Sequence, residues 1–255
     1  MKFRPCIDIH NGKVKQIVGG SLQDSGDQAK ENFVSGQDAV FYAELYRNAG
    51  LKGGHVILLN GKDSEYYEAT RMQEMQALNA YPGGLQIGGG VCPENAEEYL
   101  QAGASHVIVT SYVFKDGKLS WENLRKMEEA AGKENLVLDL SCRRKDDQYC
   151  IVTDRWQKFT DVTVTLDIMK ELGSYCDEFL VHAVDVEGKA RGVETELASL
   201  LGEYKGNPVT YAGGVGSMKD IEDLRKYGKD RLDVTVGSAL DLFGGNISFS
   251  ELIKL

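Results

Sequence analysis

Two aspartates stand at the ends of apolar runs, Asp8 in Cys6-Ile7-Asp8-Ile9 and Asp139 in Val137-Leu138-Asp139-Leu140. A carboxylate in such a run is costly to desolvate unless it is paired or used. The bland reading is an ion pair with Lys13, Arg143 or Arg144. Taken together, the two suit general base and general acid work, because different surroundings can separate the pKa values of two carboxylates. A further candidate acid, Glu187, lies in the polar loop Glu187-Gly188-Lys189-Ala190-Arg191-Gly192, just after His182 and Asp185. Such a loop is usually solvent-exposed, and His182 reads equally as a hydrogen-bonded core histidine or a substrate contact.

A second kind of chemistry is written in glycine. Gly88-Gly89-Gly90-Val91 and Ala212-Gly213-Gly214-Val215 each close an apolar run, and the next run in each case ends in small residues, Thr110-Ser111 and Gly237-Ser238. Glycine at such a point lets the backbone approach a ligand and leaves N–H groups free for phosphate oxygens. It also simply turns a chain from strand to helix, and one motif alone does not separate the two readings. Duplication does: Gly89, Gly90, Thr110 and Ser111 on one side and Gly213, Gly214, Gly237 and Ser238 on the other imply a substrate with a phosphate at each end. Trp156, in the polar stretch Thr153-Asp154-Arg155-Trp156-Gln157-Lys158, either stacks on a planar ring or covers a rim. The segment from Gly19 to Gly36 reads as a mobile loop able to close over substrate.

These residues need a frame, and the sequence supplies a repeated strand and helix grammar. Eight β-rich runs stand out: 3–9, 55–59, 85–87, 106–109, 136–140, 179–184, 209–211 and 232–236, most of them buried-type apolar runs. Between them lie helical patterns: 65–80 capped by Ser64, one opening at Pro93, 121–131 capped by Ser120, 163–172 ending at Gly173, 194–201 ending at Gly202, and 218–227 capped by Ser217. Eight βα units in 255 residues match a single (β/α)8 barrel, with a doubly wound open sheet as the runner-up. The halves repeat: Gly89 and Gly213 are 124 positions apart, and Ser111 and Ser238 are 127 apart. One domain over residues 1–255 is expected, with half-barrels of about 1–132 and 133–255.

Composition closes off several function classes. The 42% hydrophobic content can fill a sizeable core, and a net charge of −10 opposes nucleic acid and anionic membranes, so an anionic ligand must be held by local groups. No apolar stretch approaches membrane-spanning length. Five cysteines without a CxxC pair and four scattered histidines give no sign of a disulfide framework or a metal site. The opening Met1-Lys2-Phe3-Arg4-Pro5 leads into a strand-like run without the pattern of a signal or transit peptide, so a cytoplasmic location is expected.

The motifs jointly resemble one family, the phosphoribosylformimino-aminoimidazole-carboxamide ribotide isomerases of histidine biosynthesis, in their eukaryotic form. The resemblance covers nearly the whole chain and rests on Pro5-Cys6-Ile7-Asp8-Ile9-His10-Asn11-Gly12-Lys13-Val14, Gln86-Ile87-Gly88-Gly89-Gly90-Val91, Val137-Leu138-Asp139, Ala212-Gly213-Gly214-Val215 and Val236-Gly237-Ser238-Ala239-Leu240. It implies a two-fold-repeated (β/α)8 barrel that acts without cofactor on a small bisphosphate; no metal site and a monomer are the expectations beside it. It also implies an aldose–ketose isomerase that converts a ribosyl aminoaldose to an aminoketose by an Amadori rearrangement. On that resemblance Asp8 is the general base, Asp139 the partner carboxylate usually assigned as general acid, and Trp156 a loop residue stacking on the imidazole carboxamide. Bacterial members usually carry Thr at His182 and Asp-Gly-Thr at Glu187-Gly188-Lys189, which makes Glu187 the rival acid. They also place aspartates where this chain has Leu58 and Asn60. The sister barrel, the cyclase that makes imidazole glycerol phosphate, normally reads Val-Lys-Gly after the first strand; this chain has Val14-Lys15-Gln16. A non-catalytic phosphosugar-binding barrel is the remaining alternative.

Overall fold

Each of the eight apolar runs forms a parallel strand: β1 (Cys6–His10), β2 (Gly54–Leu58), β3 (Leu85–Gly88), β4 (His106–Val109), β5 (Leu136–Asp139), β6 (Glu178–His182), β7 (Val209–Ala212) and β8 (Leu232–Thr235). The computed structural model describes residues 1–18, 21–22 and 27–255. Each strand pairs in parallel with the next. The ring closes where Phe3 bridges to Val234, with Arg4 N donating to Val234 O at 2.8 Å and Val234 N to Lys2 O at 2.9 Å. The fold is therefore a (β/α)8 barrel, and the open-sheet alternative fails because the chain entering β1 also pairs with β8.

Among the described residues one helix follows each strand: α1 (Ala39–Asn48), α2 (Tyr67–Ala80), α3 (Pro93–Gln101), α4 (Trp121–Ala131), α5 (Leu166–Leu172), α6 (Thr195–Glu203), α7 (Met218–Tyr227) and α8 (Phe249–Leu252). Side chains cap four of their N-termini: Asp38 accepts from Phe41 N at 2.9 Å, Ser120 from Asn123 N at 3.2 Å, Thr165 from Ile168 N at 3.2 Å and Ser217 from Asp220 N at 3.4 Å. Such caps are worth about 1 kcal/mol each. The main core fills the space between strands and helices, and a smaller cluster of Ile108, Val137, Leu180 and Ala212 lies apart from it, packed with Ile57.

That smaller cluster marks the inside of the barrel. Because side chains alternate along a strand, Val137 and Asp139 share one face of β5, and Glu178, Leu180 and His182 share one face of β6. The inward face of β6 thus carries an ion at the floor, leucine in the middle and imidazole at the mouth. At the floor Glu178 accepts from Thr210 Oγ1 at 2.7 Å and Gln86 Nε2 at 3.2 Å and lies 3.6 Å from the Arg4 guanidinium, which also pairs with Asp233 at 2.9 Å. Strand-end residues on this face therefore meet at one opening.

Several expected boundaries move. The helix after β2 begins at Tyr67, because the Ser64 hydroxyl donates to Asp27 Oδ2 at 2.7 Å and does not cap it. Thr163 ends a strand, and Thr165 is the cap of α5. Gly202 is inside α6, packed against Gly228. The segment from Gly19 to Gly36 includes the strand Glu31–Val34, which pairs with Lys13–Ile17 as an antiparallel extension of β1. Residues 19–20 and 23–26 of that segment lie outside the described residues. A matching insertion after β5 forms a three-stranded antiparallel sheet, Cys142–Lys145, Gln148–Thr153 and Lys158–Thr163. The two insertions touch: Gln157 Nε2 donates to the Leu22 carbonyl.

Candidate active site

The barrel mouth holds two connected hollows that share Asp8, His182 and Glu187. The wider one, about 320 Å³, lies over the first half and is walled by Gly89, Gly90, Thr110, Ser111, Asp139 and Trp156. The narrower one, about 30 Å³, lies over the second half against Gly213, Gly214, Gly237 and Ser238. Each candidate catalytic or phosphate-binding residue read from the sequence, Glu187 and His182 included, therefore lines one of the two hollows. Arg143 and Arg144 stay outside them, paired with Asp185 and with Asp147 and Glu196 respectively.

The two aspartates of the mouth, Asp8 within β1 and Asp139 at the end of β5, sit in different chemistry. Among the described residues Asp8 has one hydrogen-bond partner, Gln16 Nε2 at 3.2 Å. Burial above all, and then the Glu187 charge, push its pKa up to about 7; the His182 charge and the Gln16 hydrogen bond pull the other way without cancelling this. A carboxyl titrating near neutrality can both take and return a proton. Asp139 is a fully engaged anion. Its Oδ1 accepts from Ser141 N at 2.8 Å and Ser141 Oγ at 2.6 Å, its Oδ2 accepts from Thr110 Oγ1 at 3.0 Å, and His182 Nδ1 lies 3.8 Å from Oδ1. Burial works to raise its pKa, but His182 and the Ser141 donors outweigh burial and hold it below its ordinary value.

Between them stands His182, its ring 5.4 Å from Trp156 and 5.9 Å from His55. Burial disfavours the imidazolium, yet Asp139 first, then Glu187 and Asp8, raise its pKa above the ordinary histidine value. His55 goes the opposite way, pushed down to about 3 by burial and by the His182 charge, so it is a neutral wall. Glu187 is raised by burial, with His182 and the Gly188 N–H offsetting it only in part, and its buried Oε2 has no hydrogen-bond partner among the described residues.

The glycine turns repeat in backbone geometry. Gly89 and Gly90 have φ of 104° and 70°, and Gly213 and Gly214 have 114° and 77°, values that side-chain-bearing residues rarely adopt. Their surroundings differ. A Cβ on Gly90 would meet nothing within 4 Å, whereas one on Gly213 would stand 2.8 Å from Ala183 O and 3.1 Å from Glu187 Oε2. The loop after β6 folds onto the second turn, with Gly192 N donating to Gly214 O at 2.9 Å, and Asn32 Nδ2 holds Gly188 O at 2.9 Å.

Sequence reasoning missed Gln16, His55 and Ser141, which carry no motif signal: each matters only through the group it touches. It also placed Thr110 with the phosphate contacts, while its hydroxyl is bonded to Asp139. Among the described residues no group of three or more His, Cys, Asp or Glu is placed to hold a metal ion. Nor is any helix there long and apolar enough to cross a membrane.

A sequence profile described as "Histidine biosynthesis protein" matches residues 2–248. The chain belongs to this family. Among curated members of the histidine biosynthesis family, the chain is 54% identical over 257 residues to a protein of Medicago truncatula, covering 99% of this chain and 81% of that one. That protein is named 1-(5-phosphoribosyl)-5-((5-phosphoribosylamino)methylideneamino)imidazole-4-carboxamide isomerase, chloroplastic. Proteins of Yarrowia lipolytica and Saccharomyces cerevisiae with the same isomerase name are 45% and 41% identical, covering 99% and 96% of this chain and 97% and 94% of their own lengths.

Proposed function

We infer that this protein is the histidine-pathway isomerase that converts the phosphoribosyl aminoaldose to the corresponding phosphoribulosyl aminoketose by an Amadori rearrangement. The observation that carries the reading is the pair of carboxylates at the barrel mouth, Asp8 and Asp139, set between two glycine turns of the same backbone geometry, in a family whose relatives bear the isomerase name. A substrate with a phosphate at each end lies across the mouth, one phosphate on Gly89, Gly90 and Ser111 and the other on Gly213, Gly214, Gly237 and Ser238. Trp156 covers the planar imidazole carboxamide. Ring opening needs a proton on the ribose ring oxygen, and the aminoketose then needs the C2′ proton removed and a proton delivered to C1′. Asp8 serves as the base, and the donor comes from the group of Asp139, His182 and Glu187. Holding the ribose at both ends supplies the orientation.

We also propose that the enzyme works without a cofactor, as a monomer, on a small molecule and not on nucleic acid or membrane. Its acidic balance and the placement of its exposed large apolar residues on separate elements support this. A cytoplasmic location fits its five free cysteines, checked by fractionation. The test of activity is turnover of the aminoaldose bisphosphate with metal chelated and no ammonia present. Conversion to the aminoketose is expected. No conversion, or product only from aminoketose with ammonia, would overturn the reading in favour of a binding barrel or a cyclase.

A further inference from the structure

The proton inventory around Ser141 decides which atom of the mouth can donate. Ser141 Oγ lies 2.6 Å from Asp139 Oδ1 and 3.1 Å from His182 Nδ1. A hydroxyl has one proton, and next to an anionic oxygen that proton points to the carboxylate. His182 Nδ1 must then be the donor to Ser141 Oγ, which gives a directed chain: Nδ1–H to Oγ, Oγ–H to Asp139. This fixes the ring: Nδ1 keeps its proton in both charge states, and Nε2 is the atom that titrates. Nε2 has no hydrogen-bond partner among the described residues, and the ring borders both hollows. Asp139, by contrast, has both oxygens engaged by Ser141 and Thr110.

We propose that His182 is the proton donor of ring opening, through Nε2, and that Asp139 and Ser141 are positioning residues that orient the imidazole. The assignment deepens the isomerase reading and rests on it. In the first step the Nε2 proton passes to the ribose ring oxygen. The C1′–O4′ bond breaks with its electron pair kept on oxygen, and the exocyclic nitrogen lone pair closes a C1′=N iminium. Asp8 then takes the C2′ proton; the C–H electron pair becomes a C1′=C2′ bond and the iminium pair returns to nitrogen. Finally the O2′ proton leaves to Nε2, restoring the imidazolium, and Asp8 returns its proton to C1′. No oxidant or external acid is consumed. Glu187 borders both hollows as well, but its Oε2 is turned to the second glycine turn, 3.1 Å from where a Cβ on Gly213 would stand.

The experiment is the pH profile of kcat/KM for the wild type and for His182→Gln, Asp139→Asn and Glu187→Gln. The charged and titratable groups around the ring are Asp8 from β1, His55 from β2, Asp139 from β5 and Glu187 from the loop after β6. The wild type should lose activity on the alkaline side as Nε2 deprotonates. His182→Gln should lower kcat by about 100-fold with KM within threefold and lose that alkaline limb, while keeping the acid limb set by Asp8. Asp139→Asn should move the alkaline limb to lower pH, since it removes the nearest anion. A His182→Gln profile that keeps its alkaline limb would overturn the assignment, as would a limb abolished by Asp139→Asn or Glu187→Gln alone. A measurement without any substitution guards against misfolding. In 15N-histidine-labelled wild type, one histidine should keep Nδ1–H throughout while its Nε2 titrates at the pH of the kinetic limb, and absence of such a signal would also overturn the proposal. No turnover by the wild type falls on the isomerase reading; turnover with an unaltered limb falls on this assignment alone.

Discussion

The two halves of the barrel present the same backbone and opposite environments. Asp8 lies within the first strand and Asp139 ends the fifth, and each strand leads into an antiparallel insertion. Yet Asp8 has one amide donor and a carboxyl neighbour, whereas Asp139 has two hydroxyls, a backbone N–H and an imidazole around it. The glycine turns diverge in the same way, the first facing an open hollow and the second pressed under the loop after β6. Symmetry at the level of strands therefore places like groups opposite each other, and the loops decide what each does.

The largest effect expected from this asymmetry is kinetic. Asp8→Asn should lower kcat by about 10³-fold or more with KM within about threefold, because both phosphate cradles survive. Lost binding with kcat preserved would end its role as base, and identical pH profiles for Asp8→Asn and Asp139→Asn would break the comparison itself.

Next come the cradles. Gly213→Val should lower unfolding free energy by about 2–4 kcal/mol through left-handed strain and the clash with Ala183 O, and should weaken substrate binding as well. Gly90→Ala keeps only the strain, about 1 kcal/mol, and should act mainly on affinity. Equal losses in a denaturant titration would show that the second turn is no more confined than the first.

A smaller effect is the opposed pH dependence of stability. The Asp8 pKa is raised from an unfolded value of 3.8 to about 7, so the folded state binds the proton more tightly. That contribution is complete below about pH 4 and lost as pH rises through 7. The span corresponds to at most about 4 kcal/mol and, with water reaching the mouth, to about half of that. Asp8→Asn should accordingly be more stable than wild type at pH 8 and indistinguishable near pH 4. Asp139, with its pKa lowered, contributes stability above its unfolded value and loses it as pH falls through the folded one. Asp139→Asn should therefore be less stable than wild type at pH 8. Thermal melts of both variants at the two pH values check the signs, and parallel behaviour would refute the contrast.

The strands were legible because parallel strands buried on both faces read as short apolar runs, and all eight lie where the sequence places them. The charged segments Glu31–Val34 and Cys142–Lys145 were not, since their pairing is set by the hairpins that carry them and not by burial. Helix α1 was missed because its start depends on Asp38, just past the Gly19 to Gly36 stretch read as loop. Ser64 misled for a related reason: its hydroxyl does accept from Tyr66 N at 3.1 Å, but it is shared with Asp27 and Asn60 in a turn that precedes the helix. At the mouth, residue types announced acids, glycines and a tryptophan. What separates Asp8 from Asp139 is the hydrogen bonds of Thr110 and Ser141 and the nearby His182 imidazole, brought together from three different strand ends, and adjacency of that kind has no signature in linear order.

The floor described above has a consequence for traffic. The ion cluster of Arg4, Glu178 and Asp233 with Gln86 and Thr210, roofed by the Ile108, Val137, Leu180 and Ala212 layer, makes the barrel a vessel with one door. An isomer that keeps both of its phosphates must leave by the route its precursor used, past the same two glycine turns, so if those turns hold the phosphates as proposed, tighter capture of one means slower escape of the other.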